Sequence, residues 1–286
     1  MQAALVICLY FQSVEVALAD DIAAVDYGAS TIVAKPGSTE EQGDGTDVSV
    51  ASKYRVVSSQ VLANGIAVGK RMPSTKVLNQ SDARPWHFQE LLPSNGRWRI
   101  VIFTGDVTQE RQREKLEKIG RKLGSRGPDS LLRRFTPPNA RHDAVIELLA
   151  VHSAPRTAVT IFDFPEVFRP YDDVEGWDYN KIFADDRSYH EGHGKIYETF
   201  QISAEGCAVI LRPDQYVSYV GPMEDVEALD KFFSAFMIPV TTAKSDGAAL
   251  DADSNPKTVV TSATSSGAGS NGNSNVKTVL MDQLVM

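Results

Sequence analysis

Cysteine is scarce in this chain of 286 residues: Cys8 and Cys207 stand alone and far apart. Neither belongs to a Cys-x-x-Cys pair or a zinc-ligand spacing, and the two give no disulfide framework of the kind small secreted domains use. A reducing, cytoplasmic setting is expected. Positive charge is also in deficit, with 29 Lys and Arg against 37 Asp and Glu, a formal net charge of -8 and a sequence pI near 5.2. The basic residues are scattered, with no stripe to follow a phosphate backbone, so nucleic acid and anionic membrane are poor partners. Long hydrophobic runs are missing too. The apolar stretch Ala3 to Phe11 falls well short of the roughly 20 residues that cross a bilayer. No basic residue precedes it, as one would in a secretory leader. Ala17-Leu18-Ala19 mimics a cleavage site, but the stretch reads better as a buried helix or strand that once had more chain in front of it.

A working dinucleotide fingerprint is likewise missing. Gly267, Gly269 and Gly272 have the G-x-G-x-x-G spacing, yet Asn273-Ser274-Asn275 opens no helix whose amides could hold a pyrophosphate.

What the chain does have is 42% hydrophobic residues, enough for one sizeable core. Their distribution divides it into residues 1–35 (short apolar runs), 36–57 (a Gly-, Glu-, Asp- and Ser-rich flexible loop), 58–239 (dense in apolar residues) and 240–286 (a tail rich in Thr, Ser, Gly, Asn and Asp). The tail offers too little apolar surface to offset its ordering entropy and is expected to be disordered. Its last residues, Val276 to Met286, are the exception that could dock as a short element.

Within the dense region Trp98 to Phe103 is a β-branched run ending at Gly105-Asp106, the pattern of a buried strand and a turn. A helix is expected over Gln109 to Leu123, capped by Thr108, with Leu116, Ile119 and Leu123 at helical spacing and Gly124 as its stop. Val145–Val151 and Ala158–Phe164 are further strand candidates. Ala208–Leu211 and Tyr216–Val220 read as a hairpin around Pro213-Asp214, a short helix falls near His193 to Phe200, and Met223 to Phe236 closes the domain as a helix. The expected fold is α/β, a thioredoxin-like central sheet flanked by helices, with an N-terminal remnant segment and a disordered C-terminal tail.

Several stretches carry a more specific likeness. They are Gly69-Lys70-Arg71-Met72-Pro73, the run from Val77 to Pro85, Leu91 to Arg99, Phe183-Ala184-Asp185-Asp186, Tyr189-His190-Glu191-Gly192-His193-Gly194, and Leu211 to Val217. In this order they resemble the C-terminal thioredoxin-like domain of fungal FAD-dependent phenol 2-monooxygenases and related aromatic hydroxylases, over roughly residues 58–238. Val25 to Ser30 also resembles the segment that leaves that family's flavin domain. The resemblance implies a domain used mainly in dimer contacts. The family's flavin motifs and aromatic-hydroxylase active-site residues belong to sequence that would precede Met1, so FAD and NADPH are implied for a full-length relative or partner and no cofactor is expected in this chain.

A redox role would need a thiolate at a helix start, and Thr104-Gly105-Asp106-Val107 supplies no cysteine there, while Cys207 opens a predicted strand. The redox cysteine motif is therefore absent. His190 and His193, beside Glu191, Asp185 and Asp186, invite a metal reading, but Gly192 and Gly194 argue for a loop or helix start, and a capping or interface role fits better. Asp82 and Arg84 lie two residues apart in a segment expected to be extended, with Trp86 following, and can point the same way to hold another chain. The candidate interface residues are thus Asp82, Arg84, Trp86, His190 and His193. Trp86, Phe88, Trp177, Tyr179 and Tyr189 fall in segments read as loops, where large aromatics serve either the domain's own core or a contact surface.

Two functions compete. One is an interaction module that dimerises with itself or with a flavin-dependent hydroxylase. The other is a component of an FAD-dependent monooxygenase hydroxylating aromatic rings, as in secondary metabolism. A truncated gene product is a third reading, suggested by the abrupt apolar start.

Overall fold

The computed structural model describes residues 25–36, 56–124 and 130–240. Cys8, the Ala3 to Phe11 stretch, the loop at 37–55, the glycines at 267–272 and the tail beyond 240 lie outside the described residues.

Eleven strands and four α-helices follow one another among the described residues. The strands are β1 (Lys76–Asn79), β2 (Pro85–His87), β3 (Trp98–Gly105), β4 (Ile146–His152), β5 (Tyr171–Asp172), β6 (Gly176–Trp177), β7 (Ile182–Ala184), β8 (Arg187–Ser188), β9 (Gly192–His193), β10 (Cys207–Leu211) and β11 (Val217–Gly221). The helices are α1 (Glu110–Leu123), α2 (Leu131–Arg134), α3 (Ile196–Thr199) and α4 (Val226–Ser234). Seven strands form one sheet in the order β11-β10-β3-β4-β7-β1-β2, and β5-β6 and β8-β9 form two small hairpins.

The centre of the sheet is β3, whose near-continuous apolar run is that of a strand covered on both faces. It pairs parallel with β4 through the α1 crossover and antiparallel with β10, which turns back into β11 and then α4. This order of a parallel β-α-β unit, an antiparallel hairpin and a closing helix is the thioredoxin-like arrangement; β7, β1 and β2 extend it on one side.

Successive residues of the central strands face opposite sides, so their alternation builds two cores. Ile100, Ile102, Leu148, Ala150, Ala208 and Ile210 pack with Leu116, Ile119 and Leu123 of α1 and with Leu229, Phe232 and Phe233 of α4. Val101, Phe103, Leu149, Val151, Cys207, Val209 and Leu211 pack on the other face with Ile66, Met72, Phe88, Ile196 and Phe200. Trp98 closes the first core with its ring 4.9 to 5.9 Å from Phe232, Phe233 and Phe236. Asp225 caps α4 by accepting the Ala228 amide.

Three expectations are corrected. Ala158–Phe164 is not a strand but two single 3-10 turns, Arg156–Ala158 and Ile161–Asp163. Pro155 and Pro165 flank them, and Thr160 and Asp163 cap each other, so the local side chains satisfy the amides that a sheet would need. The third parallel position belongs to β7, bonded to β4 with Ala150 opposite Ile182. The helix after β3 starts at Glu110 with Gln109 at its cap, because Thr108 is held back in a turn by Asp106. Three of the aromatics expected in loops are not there: Trp86 stands in β2, Trp177 in β6, and Phe88 sits in a 3-10 turn, fully buried against Phe103.

Candidate functional site

In a thioredoxin-like sheet the reactive group stands where the first parallel strand turns into its helix, here Gly105 to Gln109. That corner is closed. Gly105 has φ +70, and a side chain on it would run into the Ala204 carbonyl oxygen. Its amide donates to the Tyr197 hydroxyl at 2.8 Å, which in turn donates to the Val151 carbonyl at 2.8 Å. The Tyr197 ring stands edge-on to Phe103, and burial holds its phenol well above the ordinary pKa. Asp106 fills the turn, accepting from the Thr108 amide and hydroxyl and from Gln109.

Cys207 lies opposite Phe103 on β10, fully buried, and burial pushes its thiol up to about 12. A thiol this far from ionisation is neither nucleophile nor ligand. Cys207 is therefore expected to stay unmodified when the native chain is treated with iodoacetamide near neutral pH and to react fully in denaturant, as peptide mass spectrometry would read; rapid native labelling would show an accessible thiolate.

His152, at the end of β4, is the other buried ionisable group near this corner. Its Nε2 lies 2.9 Å from Gln80 Oε1, and Gln80 also donates to the Arg156 and Val159 carbonyls, tying the end of β1 to the 3-10 turns after β4. Burial lowers the His152 pKa to about 4, offset only in part by the Ala154 backbone, Asp186 and Asp106. The imidazole is neutral at physiological pH and serves as a structural hydrogen-bond group.

The residues expected at an interface divide into two neighbouring groups. Ala83 is left-handed at φ 63, so Asp82 and Arg84 do not share an extended face; Asp82 Oδ1 accepts the Arg84 amide in a tight turn instead. Arg84 lays its guanidinium over the Trp86 ring, 4.2 Å from the centroid. Tyr189 and His190 stack edge-to-face at the tip of the β8-β9 hairpin. His193 bonds Asp185 at 2.8 Å, and Asp185 caps α3 through the Ile196 and Tyr197 amides. Lys76 joins the hairpin to β1 by its ion pair with Glu191 at 2.9 Å.

Sequence reasoning missed a surface on the chain between β4 and β7. Phe162, Tyr171, Trp177 and Tyr179 are exposed there, and the Arg169 guanidinium lies 5.0 Å from the Phe162 ring and 5.9 Å from that of Trp177. Only Trp177 and Tyr179 carried a signal, as aromatics in segments read as loops, although Trp177 stands in β6 opposite Tyr171.

No group of three or more His, Cys, Asp or Glu among the described residues is placed to hold a metal ion, and no described helix is long and apolar enough to cross a membrane. A flavin or nicotinamide diphosphate does not fit either of the longer helix starts. Asp106 and Glu110 stand at the start of α1, and Asp225 and Glu227 at that of α4, so carboxylates hold the ground where a diphosphate would need free amides.

Residues 25–241 match the family model described as phenol hydroxylase, C-terminal dimerisation domain. The chain belongs to this family. Within the phenol hydroxylase dimerisation family, it is 37% identical over 185 residues to the phenol 2-monooxygenase fsqG of Aspergillus fumigatus, a match covering 64% of this chain and 29% of that protein. It is 34% identical over 197 residues to the 3-hydroxybenzoate 4-monooxygenase of Comamonas testosteroni, covering 68% and 30%. The match to the FAD-dependent monooxygenase terD of Aspergillus terreus is 37% over 183 residues, covering 63% and 29%. The chain thus spans about three-tenths of the length of the curated relatives it matches. Among solved structures it is similar to the flavin-dependent monooxygenase PieE in complex with FAD and substrate, at 13% identity and TM-score 0.31 over 73% of this chain and 25% of that one. It is also similar to the exposed lipoprotein thioredoxin Etrx1 of Streptococcus pneumoniae, at 13% identity and TM-score 0.30 over 56% and 98%.

Proposed function

We propose that this phenol hydroxylase dimerisation domain works as a self-association module, with no flavin site and no redox centre of its own. The observation that carries the reading is the family match over residues 25–241. The closed corner supports it, since Tyr197, Asp106 and buried Cys207 leave no reactive group where the fold would display one. Two copies with different affinity tags, co-expressed and purified over both resins in turn, are expected to co-elute. Recovery of one tag alone would overturn the reading.

A second reading is favoured by the names of the relatives, which are FAD-dependent or phenol monooxygenases in which this region is the smaller part. The domain then serves an aromatic hydroxylation carried out by a flavin-bearing partner. On both readings the purified chain is colourless and does not consume NADPH in the presence of a phenol. A yellow protein with phenol-dependent NADPH oxidation would show that it carries flavin itself.

A further inference from the structure

We propose that a second copy of this chain docks on the aromatic patch of the segment between β4 and β7, formed by Phe162, Tyr171, Trp177 and Tyr179 around Arg169. The proposal rests on the self-association reading above and names its surface.

Docking by strand addition is not open to this sheet. The outer edge of β11 already takes backbone bonds from other parts of the chain, with the Ala34, Ser59 and Gly69 amides on Ser218, Val220 and Val217. At the opposite edge β2 is three residues long and begins with Pro85, which has no amide to offer. The partner must therefore meet a face, and apolar cover is needed in one place above others.

Phe162 is 72% exposed, Tyr171 58%, Tyr179 44% and Trp177 42%. At about 200 Å² for a whole aromatic side chain, these residues leave roughly 400 Å² uncovered, within the range of the largest apolar patch on a typical monomer. That is about half of the roughly 800 Å² per partner that a stable interface buries. The patch is continuous. Tyr171 and Trp177 stack 5.1 Å apart, Arg169 bridges Trp177 to Phe162, and Phe162 and Tyr179 line one shallow depression with Arg156, Thr157 and Ile161. It is also rigid at its base, because Phe164 and Phe168, interleaved with it in sequence, are anchored in the helix-side core.

Arg169 supplies the polar centre. Its Nη2 donates to the Phe164 carbonyl at 3.3 Å and its Nε is buried without a partner, while no carboxylate among the described residues pairs with the guanidinium. Tyr, Trp and Arg are the residues enriched at the centres of interfaces. An isologous pairing brings the same patch from both copies together and closes the assembly at two. The group at Arg84, Trp86, Tyr189 and His190 is the weaker face: Trp86 is half-buried beneath Arg84, and Tyr189 is a single exposed ring at a hairpin tip.

Light scattering on the full chain across a concentration series tests the assignment, with circular dichroism checking that each variant is folded. The double variant Phe162→Ser/Trp177→Ser is expected to raise the dimer dissociation constant by about thirtyfold or more, while Arg84→Ala/Tyr189→Ser leaves it unchanged. In the wild-type chain, dilution from dimer to monomer should raise deuterium uptake over residues 160–179, a readout that needs no variant. A wild-type dimer that the first variant does not weaken, or that the second weakens instead, overturns this surface and leaves self-association standing. Protection of residues 160–179 appearing only when a flavin hydroxylase is added would assign the patch to that partner and overturn the proposal. A wild-type chain monomeric throughout removes the self-association reading and this one together.

Discussion

Replacing Glu147 by leucine is expected to cost about 3–5 kcal/mol of folding stability, lowering the thermal midpoint by about 6–20 °C for a domain of this size. The parallel register of β3 and β4 sets Arg99 opposite Glu147, and Arg99 Nε donates to Glu147 Oε2 at 2.8 Å with the guanidinium fully buried. The other Glu147 oxygen accepts from the Lys181 ammonium. Lys181 also reaches Asp143 at 3.1 Å and Asp178 at 3.2 Å, and Arg97 and Arg141 reach Asp143 from the other side. Removing the carboxylate leaves the fully buried Arg99 guanidinium without an anionic partner and takes one of three carboxylates from Lys181, which is why the expected loss far exceeds that of a surface pair. Changing Lys181 to methionine in the same chain should recover part of the loss, since it removes the excess buried positive charge that the loss of Glu147 leaves in the network. Urea unfolding of the three proteins measures both effects. A loss below about 1 kcal/mol for Glu147→Leu would mean that the network does not hold the sheet together as described.

The network also sets limits in pH. Burial alone would raise the Asp143 carboxyl, but Lys181, Arg141 and Arg97 overcome it and hold the pKa below the ordinary 3.8. Its contribution is present above that value and is lost as pH falls through the lower folded one. Burial would likewise lower Lys181, and Glu147, Asp178 and Asp143 instead hold it above the ordinary 10.5, so its contribution is lost only as pH rises through that higher value.

Acid should weaken the domain well before Asp143 titrates. His152 has an ordinary pKa of 6.5 and is held at about 4 in the fold, chiefly by burial. The unfolded chain therefore binds a proton between these values that the folded chain refuses, and stability falls as pH drops through this window. The loss amounts to about 3 kcal/mol by pH 4 at 1.36 kcal/mol per pH unit. His142, lowered by burial and by Arg133, adds in the same direction. Urea unfolding at a series of pH values from 7.5 to 4 should show this slope, and His152→Gln, which cannot titrate, should flatten most of it. Equal slopes for both proteins would show that His152 accepts a proton without disturbing the fold.

The parts of the fold legible in the sequence are those whose residues carry a sustained period. Trp98 to Phe103, the Leu116, Ile119 and Leu123 stripe, Val145 to Val151, the Ala208 hairpin and the Phe232 and Phe233 face each announce an element over several residues, and each forms with its ends shifted by a few positions. The strand β7 has only Ile182, Phe183 and Ala184, too few to show a period. Val159, Ile161, Phe162 and Phe164 imitate a strand because their apolar side chains are needed for different purposes, two in the core, one half-buried against it and Phe162 at the surface. The ion network draws on Arg97, Arg99, Asp143, Glu147, Asp178 and Lys181, which the topology alone brings together. Asp82, Arg84 and Trp86 were recognisable as a polar and aromatic group, while the turn at Ala83 that parts Asp82 from Arg84 and the stacking of Arg84 on Trp86 were not.

The functional reading turns on self-association of this domain. Sedimentation equilibrium of the full chain, from submicromolar to tens of micromolar, tests it without tags or partners. The expected mass rises with concentration to twice 31.3 kDa and stops there, fitted by a single monomer–dimer constant. A mass that stays at 31.3 kDa over the whole range would contradict it.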